Sequence, residues 1–199
     1  MTPNYLPVSS TRLQSGAAYH RPDHIFMDLI SLEDQAMAVM TDLRKITAVT
    51  INREATLEIA STRMKQRGVR LLLVVDAGDA IVGLITSTDL AGEKPLQHLQ
   101  KNGGTWSEIL VKDIMTPQDK LEVLCMADVL RAKVGNVVAT LKKAGRQHAL
   151  VVDHIQPGTP QVVRGIFSAS QIARQLNTEI QTTEVAQTFA EIEVLLMSA

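Results

Sequence analysis

Cysteine is nearly missing. The single Cys125 leaves no intrachain disulfide to hold a fold together. Set among Leu124, Met126 and Ala127, it reads as a small buried hydrophobe, with no activating partner for a reactive thiol in view. Aromatic residues are scarce at 3%, so Leu, Ile, Val, Ala and Met must fill the core, a composition that suits helix-on-sheet layers. An excess of either charge is missing too. The net charge is -1 with both signs interspersed. The longest basic run, Lys142-Lys143 with Arg146 nearby, is expected to face solvent at a helix end. Nucleic acid is therefore not an expected partner. No apolar stretch approaches the ~20 residues that span a bilayer, so a membrane is not expected either. The start Met1-Thr2-Pro3-Asn4-Tyr5 lacks a basic segment followed by an apolar one, and a cytoplasmic location is expected. No phosphate loop of the Gly-x-x-x-x-Gly-Lys kind and no readable Ser/His/Asp set occurs, so neither enzyme activity nor a catalytic cofactor is expected. His20-Arg21-Pro22-Asp23-His24 is a poor metal cluster, because Pro22 breaks the helix that would align the two histidines.

What is present is a repeated pattern. Residues 1–30, punctuated by Pro3, Pro7, Gly16 and Pro22, read as an irregular arm. Ser31 to Asp34 predicts the start of a helix carrying Ala36, Met37, Met40 and Leu43 inward. Ala48-Val49-Thr50-Ile51 predicts a short strand. Thr56 can cap a helix with Leu57, Ile59, Ala60 and Met64 on its apolar face and Gly68 as its stop. Leu71-Leu72-Leu73-Val74-Val75 is continuous apolar sequence, the mark of a strand buried on both faces. Asp76-Ala77-Gly78-Asp79 is turn chemistry, and Ala80 to Ile85 returns as the second strand of a hairpin. Thr86 to Asp89 then open a helix. Gly92, Pro95, Gly103 and Gly104 mark a linker.

The same order follows again. Leu121 to Leu124 is a strand, Val134 to Gly145 a helix with its terminal glycine, and Gln147 to Asp153 matches Leu71 to Asp76. Val162 to Ser168 matches Ile81 to Thr86. The extra length of the second copy sits in its hairpin, Asp153 to Pro160, where insertions are tolerated. This is a duplicated domain. The tail from Thr182 carries Val185, Phe189, Ile192, Leu195 and Leu196 on one side, a helix that could pack on the module or cover a dimer interface.

Strand, helix ending in glycine, apolar run closing in Val-Val-Asp, turn, Gly-apolar-apolar-Thr/Ser and then x-x-Asp resembles the CBS domain. Two in tandem resemble a Bateman module. The resemblance implies an α+β fold of two β-α-β-β-α units packed about a pseudo-twofold axis, with an N-terminal arm and a C-terminal helix added. It divides the chain into an arm and leading helix at 1–43, a first CBS domain at 44–92, a linker at 93–110, a second CBS domain at 111–176 and a tail at 177–199. It also implies clefts for AMP, ADP, ATP, S-adenosylmethionine or NAD, association as a homodimer, and regulation of a separate, unidentified protein partner.

The residues agree with such a ligand. Thr86, Ser87 and Thr88 place hydroxyls at a helix start, where free N–H groups favour phosphate. Asp89 offers a carboxylate to the two hydroxyls of a ribose. Gly83 suits a strand position approached by a ligand or another backbone. By resemblance, Val49, Thr50 and Leu73 would line the adenine slot. Thr86 and Asp89 read equally as a helix cap with a first-turn acid. In the second copy Ser168 keeps the hydroxyl, but Gln171 stands where the acid belongs and His148 joins the strand. A neutral amide cannot be a charged bidentate acceptor. One good pocket and one weak or closed pocket are expected. The other reading is a structural or dimerisation module whose pockets have decayed.

Overall fold

The computed structural model describes Arg12, Ser15, residues 30–153 and residues 160–177. The arm with its histidine pair, the tip of the second hairpin and the tail from Thr182 lie outside those residues.

The chain enters through a 3-10 turn, Ala36–Val39, and a short strand β1, Thr41–Asp42. The expected leading helix is only this one turn. Ser31 and Asp34 close a tight turn instead, with the Ser31 N–H donating to the Asp34 carboxylate at 2.6 Å. Met40 is already extended, because the next residues must pair as a strand. The first repeat continues with β2 (Thr50–Asn52), α1 (Leu57–Arg67), β3 (Leu71–Val75), β4 (Ile81–Thr86) and α2 (Ser87–Ala91). Thr56 caps α1 by accepting from the Ile59 N–H, and Gly68 ends it in the left-handed region at φ 63°. Leu57, Ala60 and Met64 are buried as expected, whereas Ile59 is exposed. Ile59 follows Glu58 on the outer side of the helix, so the apolar stripe is narrower than the sequence suggests.

The linker is not irregular. It holds a helix, α3 (Lys94–Asn102), with Pro95 in its first turn and Gly103 at its end. The second repeat brings α4 (Val111–Ile114), β5 (Thr116–Pro117), β6 (Val123–Cys125), α5 (Met126–Val129), α6 (Val134–Lys143), β7 (His148–Asp153), β8 (Val162–Ser168) and α7 (Ala169–Gln175). The one-turn α5 occupies the long connection between β6 and α6.

Two four-stranded sheets result, in the orders β2-β3-β4-β5 and β1-β8-β7-β6. Each borrows its edge strand from the other repeat: β5 pairs antiparallel with β4, and β1 with β8. The segments before those strands cross over as well. Ala36 N–H donates to Ala132 C=O at 2.9 Å and Val134 N–H to Asp34 C=O at 2.8 Å. In the matching place Val111 N–H donates to Ala55 C=O at 2.8 Å and Leu57 N–H to Ile109 C=O at 3.2 Å. The strands alternate as a sheet must. Leu72 and Val74 face the first helical core, with Ile51, Leu57, Met64 and Ile85. Val151 and Phe167 face the second, with Met40, Val134, Leu141 and Ile172. Leu71, Leu73 and Leu150 meet between the sheets, flanked by Ile81, Leu84, Val163 and Ile166. Among the described residues no helix is long and apolar enough to cross a membrane, and no group of His, Cys, Asp or Glu could hold a metal ion.

The crossing explains two glycines. A Cβ on Gly83 would lie 2.6 Å from the Thr116 carbonyl oxygen and 2.9 Å from the Met115 sulfur. A Cβ on Gly165 would lie 2.5 Å from the Met40 sulfur. Both leader strands are thus seated against a bare backbone. Only the second repeat adds charge there: Arg164 and Asp42, both nearly buried, form an ion pair, and Arg164 also reaches Asp153 at 3.4 Å. Val82 fills the position of Arg164 in the first repeat.

Gly83→Ala and Gly165→Ala should each destabilise the fold by about 1–3 kcal/mol, read as a shift in urea midpoint. Met40→Ala should partly rescue Gly165→Ala, because a flexible side chain is the obstacle. Met115→Ala should not rescue Gly83→Ala, because the Thr116 carbonyl remains.

Candidate functional site

β4 ends where α2 begins, and Thr86 marks the junction. Leu84 stands opposite Leu73 and Thr86 opposite Leu71. Thr86 therefore lies on the face turned toward the other sheet, two residues beyond Leu84. Its N–H donates to Asp89 Oδ2 at 2.8 Å, and its Oγ1 lies 2.7 Å from the same oxygen. The Asp89 N–H donates back to Thr86 Oγ1 at 3.2 Å. This is a complete capping box. The other carboxylate oxygen, Asp89 Oδ1, takes the Lys94 ammonium at 2.5 Å. The Asp89 side chain is 12% exposed, so this carboxylate is well enclosed, with both oxygens hydrogen-bonded.

The second repeat presents His148 and Ser168 at the matching place, opposite each other across β7 and β8. His148 is two residues before Leu150, so it too faces the space between the sheets. Arg70 and Asp89 both act on it electrostatically. Burial first, then Arg70, lower its pKa to about 4, while Asp89 pulls the other way. Its Nδ1 is buried with no hydrogen-bond partner. Gln171 is engaged elsewhere: its Oε1 accepts from Thr41 Oγ1 at 3.2 Å, closing the second corner with the leader strand. Ser168 Oγ lies 3.1 Å from Ser170 Oγ.

A cleft of about 950 Å³ opens between the sheets. Thr50 and Leu73 line it, together with Ala48, Ile81, Leu150 and Val163. Its volume is at the upper end of the range of small-molecule sites. Its charged lining among the described residues is Asp76 and Asp79.

The candidate residues thus divide. Thr86, Asp89 and His148 gather at one corner, and Thr50 with Leu73 in the cleft. Val49 packs toward the first helical core. Ser87 and Arg70 line a groove of about 470 Å³ between α1 and α2. Thr88 is exposed, and its carbonyl accepts from the Gly92 N–H at 2.8 Å. Gly83 is buried against β5. Two corner residues escaped the sequence reading. Arg70 lies between the Gly68 stop and β3, and Lys94 opens a helix in what looked like linker. The spacing from Asp89 to Lys94 carries no helical signal, because Gly92 intervenes.

Residues 37–94 match the family model of the CBS domain. No curated protein matches the sequence. Among solved structures, the chain is similar to an uncharacterised conserved protein from Pyrococcus horikoshii, with 19% identity, a TM-score of 0.51, and coverage of 73% of this chain and 93% of that one. It is similar to CBSX2, a protein of Arabidopsis thaliana, in complex with AMP (20% identity, TM-score 0.50, 71% and 94% covered). It is also similar to the CBS domain pair of MJ0100 in complex with 5'-methylthioadenosine and S-adenosyl-L-methionine (20% identity, TM-score 0.50, 74% and 97% covered). At these identities the structural likeness speaks for the fold, and the family match adds the sequence of the first repeat. Residues 37–94 carry the sequence of a CBS domain, and the described residues have the fold of a CBS-domain pair.

Proposed function

We propose that the chain is a non-catalytic regulatory module that binds an adenosyl ligand at the first-repeat corner. The observation that carries this reading is Asp89: a carboxylate on the inter-sheet side, beside Arg70 and His148, at a helix start. A ribose diol needs an acceptor of this kind. Arg70 and the α2 start suit a phosphate, and the inter-sheet leucines next to the corner, Leu71 and Leu73, suit a purine. The neighbours solved with AMP and with S-adenosyl-L-methionine support the ligand class. AMP, ADP, ATP, S-adenosylmethionine and NAD share the adenosyl part. The module would work in the cytoplasm, with a ligand shifting the cleft between two states read by a separate protein. Exposed Leu96, Trp106 and Leu130 offer apolar surface for a homodimer.

The second repeat supports a narrower stoichiometry. Gln171 bonded to Thr41 leaves no acid for a diol, so Ser168, Gln171 and His148 do not form an independent second pocket. The same closure is what favours a purely structural module as the alternative reading.

Calorimetric titration with the five compounds separates the two. At least one should bind saturably, and Asp89→Asn, which keeps a capping oxygen, should weaken it about tenfold or more. Absence of binding by all five would leave only the structural reading.

His148 supplies a second check. Unfolded, it takes a proton near 6.5; folded, only near 4. Between those values the unfolded state binds more protons, so stability falls as pH drops through that window. Above it the group contributes no pH dependence. Urea unfolding should show the wild type losing about 1 kcal/mol per pH unit there relative to His148→Gln. Parallel curves for the two proteins would refute the neutral histidine.

A further inference from the structure

We infer that Lys94 is the internal competitor for the ligand at Asp89, and so sets the affinity of the site. The inference rests on the reading of Asp89 as the ribose acceptor. A carboxylate has about four lone-pair positions. Asp89 Oδ2 spends two, on the Thr86 N–H at 2.8 Å and Thr86 Oγ1 at 2.7 Å. Asp89 Oδ1 spends one on the Lys94 ammonium at 2.5 Å. A diol brings two O–H donors to what is left, so one existing partner must leave. Thr86 cannot: its N–H is backbone at a helix cap, part-buried, and would be left without an acceptor, and its hydroxyl is fixed in the same cap by the Asp89 N–H that it accepts. Lys94 can, because its side chain is 47% exposed and its ammonium is satisfied by water once released.

On its other side Lys94 borders open solvent. It opens α3, and its side chain lines a second concavity of about 570 Å³ with Gln97, His98, Lys101 and Lys120. Three lysines share that wall with a single carboxylate, Asp113, which already accepts from the Leu110 N–H at 2.9 Å. Lys94 borders this wall while its ammonium sits on Asp89. Occupation of Asp89 turns the ammonium to solvent and breaks the ion pair between α2 and α3.

The probe is adenosine, which carries the diol and no phosphate, titrated into the whole chain. Lys94→Gln should bind it about two- to fivefold tighter than wild type, the worth of a half-exposed ion pair. Wild-type affinity should rise with ionic strength, because salt screens the competing pair, while that of Lys94→Gln should stay level. Lys94→Arg, which keeps the charge, should behave as wild type and not as the Gln variant. Equal or weaker binding by Lys94→Gln would overturn the inference. So would failure of adenosine to bind a protein that takes AMP, because the ligand would then be held by its phosphate and not by Asp89; the adenosyl reading would survive. Failure of every adenosyl compound to bind would overturn both.

Discussion

The exchange of leader segments between the repeats is the constraint on which the rest of the structure depends. Neither sheet is complete from its own repeat: β5 finishes the first and β1 the second. The backbone bonds from Ala36 to Ala132 and from Val111 to Ala55 repeat the same crossing one level further out. Two small repeats, each short of core, become one body in this way. The crossing also sets the face-to-face arrangement in which Leu71, Leu73 and Leu150 meet. Every candidate ligand residue on the inter-sheet side owes its position to that meeting.

The crossing is symmetric in backbone and asymmetric in chemistry. Both leader strands lie on a glycine, but only β1 is held by buried charge, through Arg164, Asp42 and Asp153. Only Thr41 reaches across to the motif position, where it occupies Gln171. The second corner is thus closed by the same strand that completes its sheet. At the first corner the motif acid is held by a half-exposed lysine and its own cap. A corner closed by structure and a corner closed by an exchangeable ion pair have different prospects as binding sites. The two halves share a scaffold and differ in the chemistry of their corners.

Much of this was legible in the sequence because local chemistry decides it. Gly68 as a helix stop, the buried run of β3 and the β3–β4 hairpin follow from residues within a few positions of one another. So does the Thr86–Asp89 pair, whose capping role is as visible as the ligand role proposed for it. Long-range partners were not legible. Nothing near Gly83 announces Thr116, and nothing near Gln171 announces Thr41. The leading helix failed for a related reason: Ala36 to Met40 has helical spacing, but pairing of Thr41 with Ile166 draws the chain into a strand. The helix α3 was hidden by Pro95 and the flanking glycines, which read as linker but here start and stop a helix. Lys94 could not be found without it.

The central claim is that one adenosyl ligand sits at the first-repeat corner with its ribose on Asp89. A crystal structure of the chain with a bound adenosyl compound tests it directly. The claim predicts one ligand per chain, both ribose hydroxyls on the Asp89 carboxylate, and the Lys94 ammonium displaced from it. A ligand held at the Gln171 corner, or one bound while the Asp89–Lys94 pair remains intact, would contradict it.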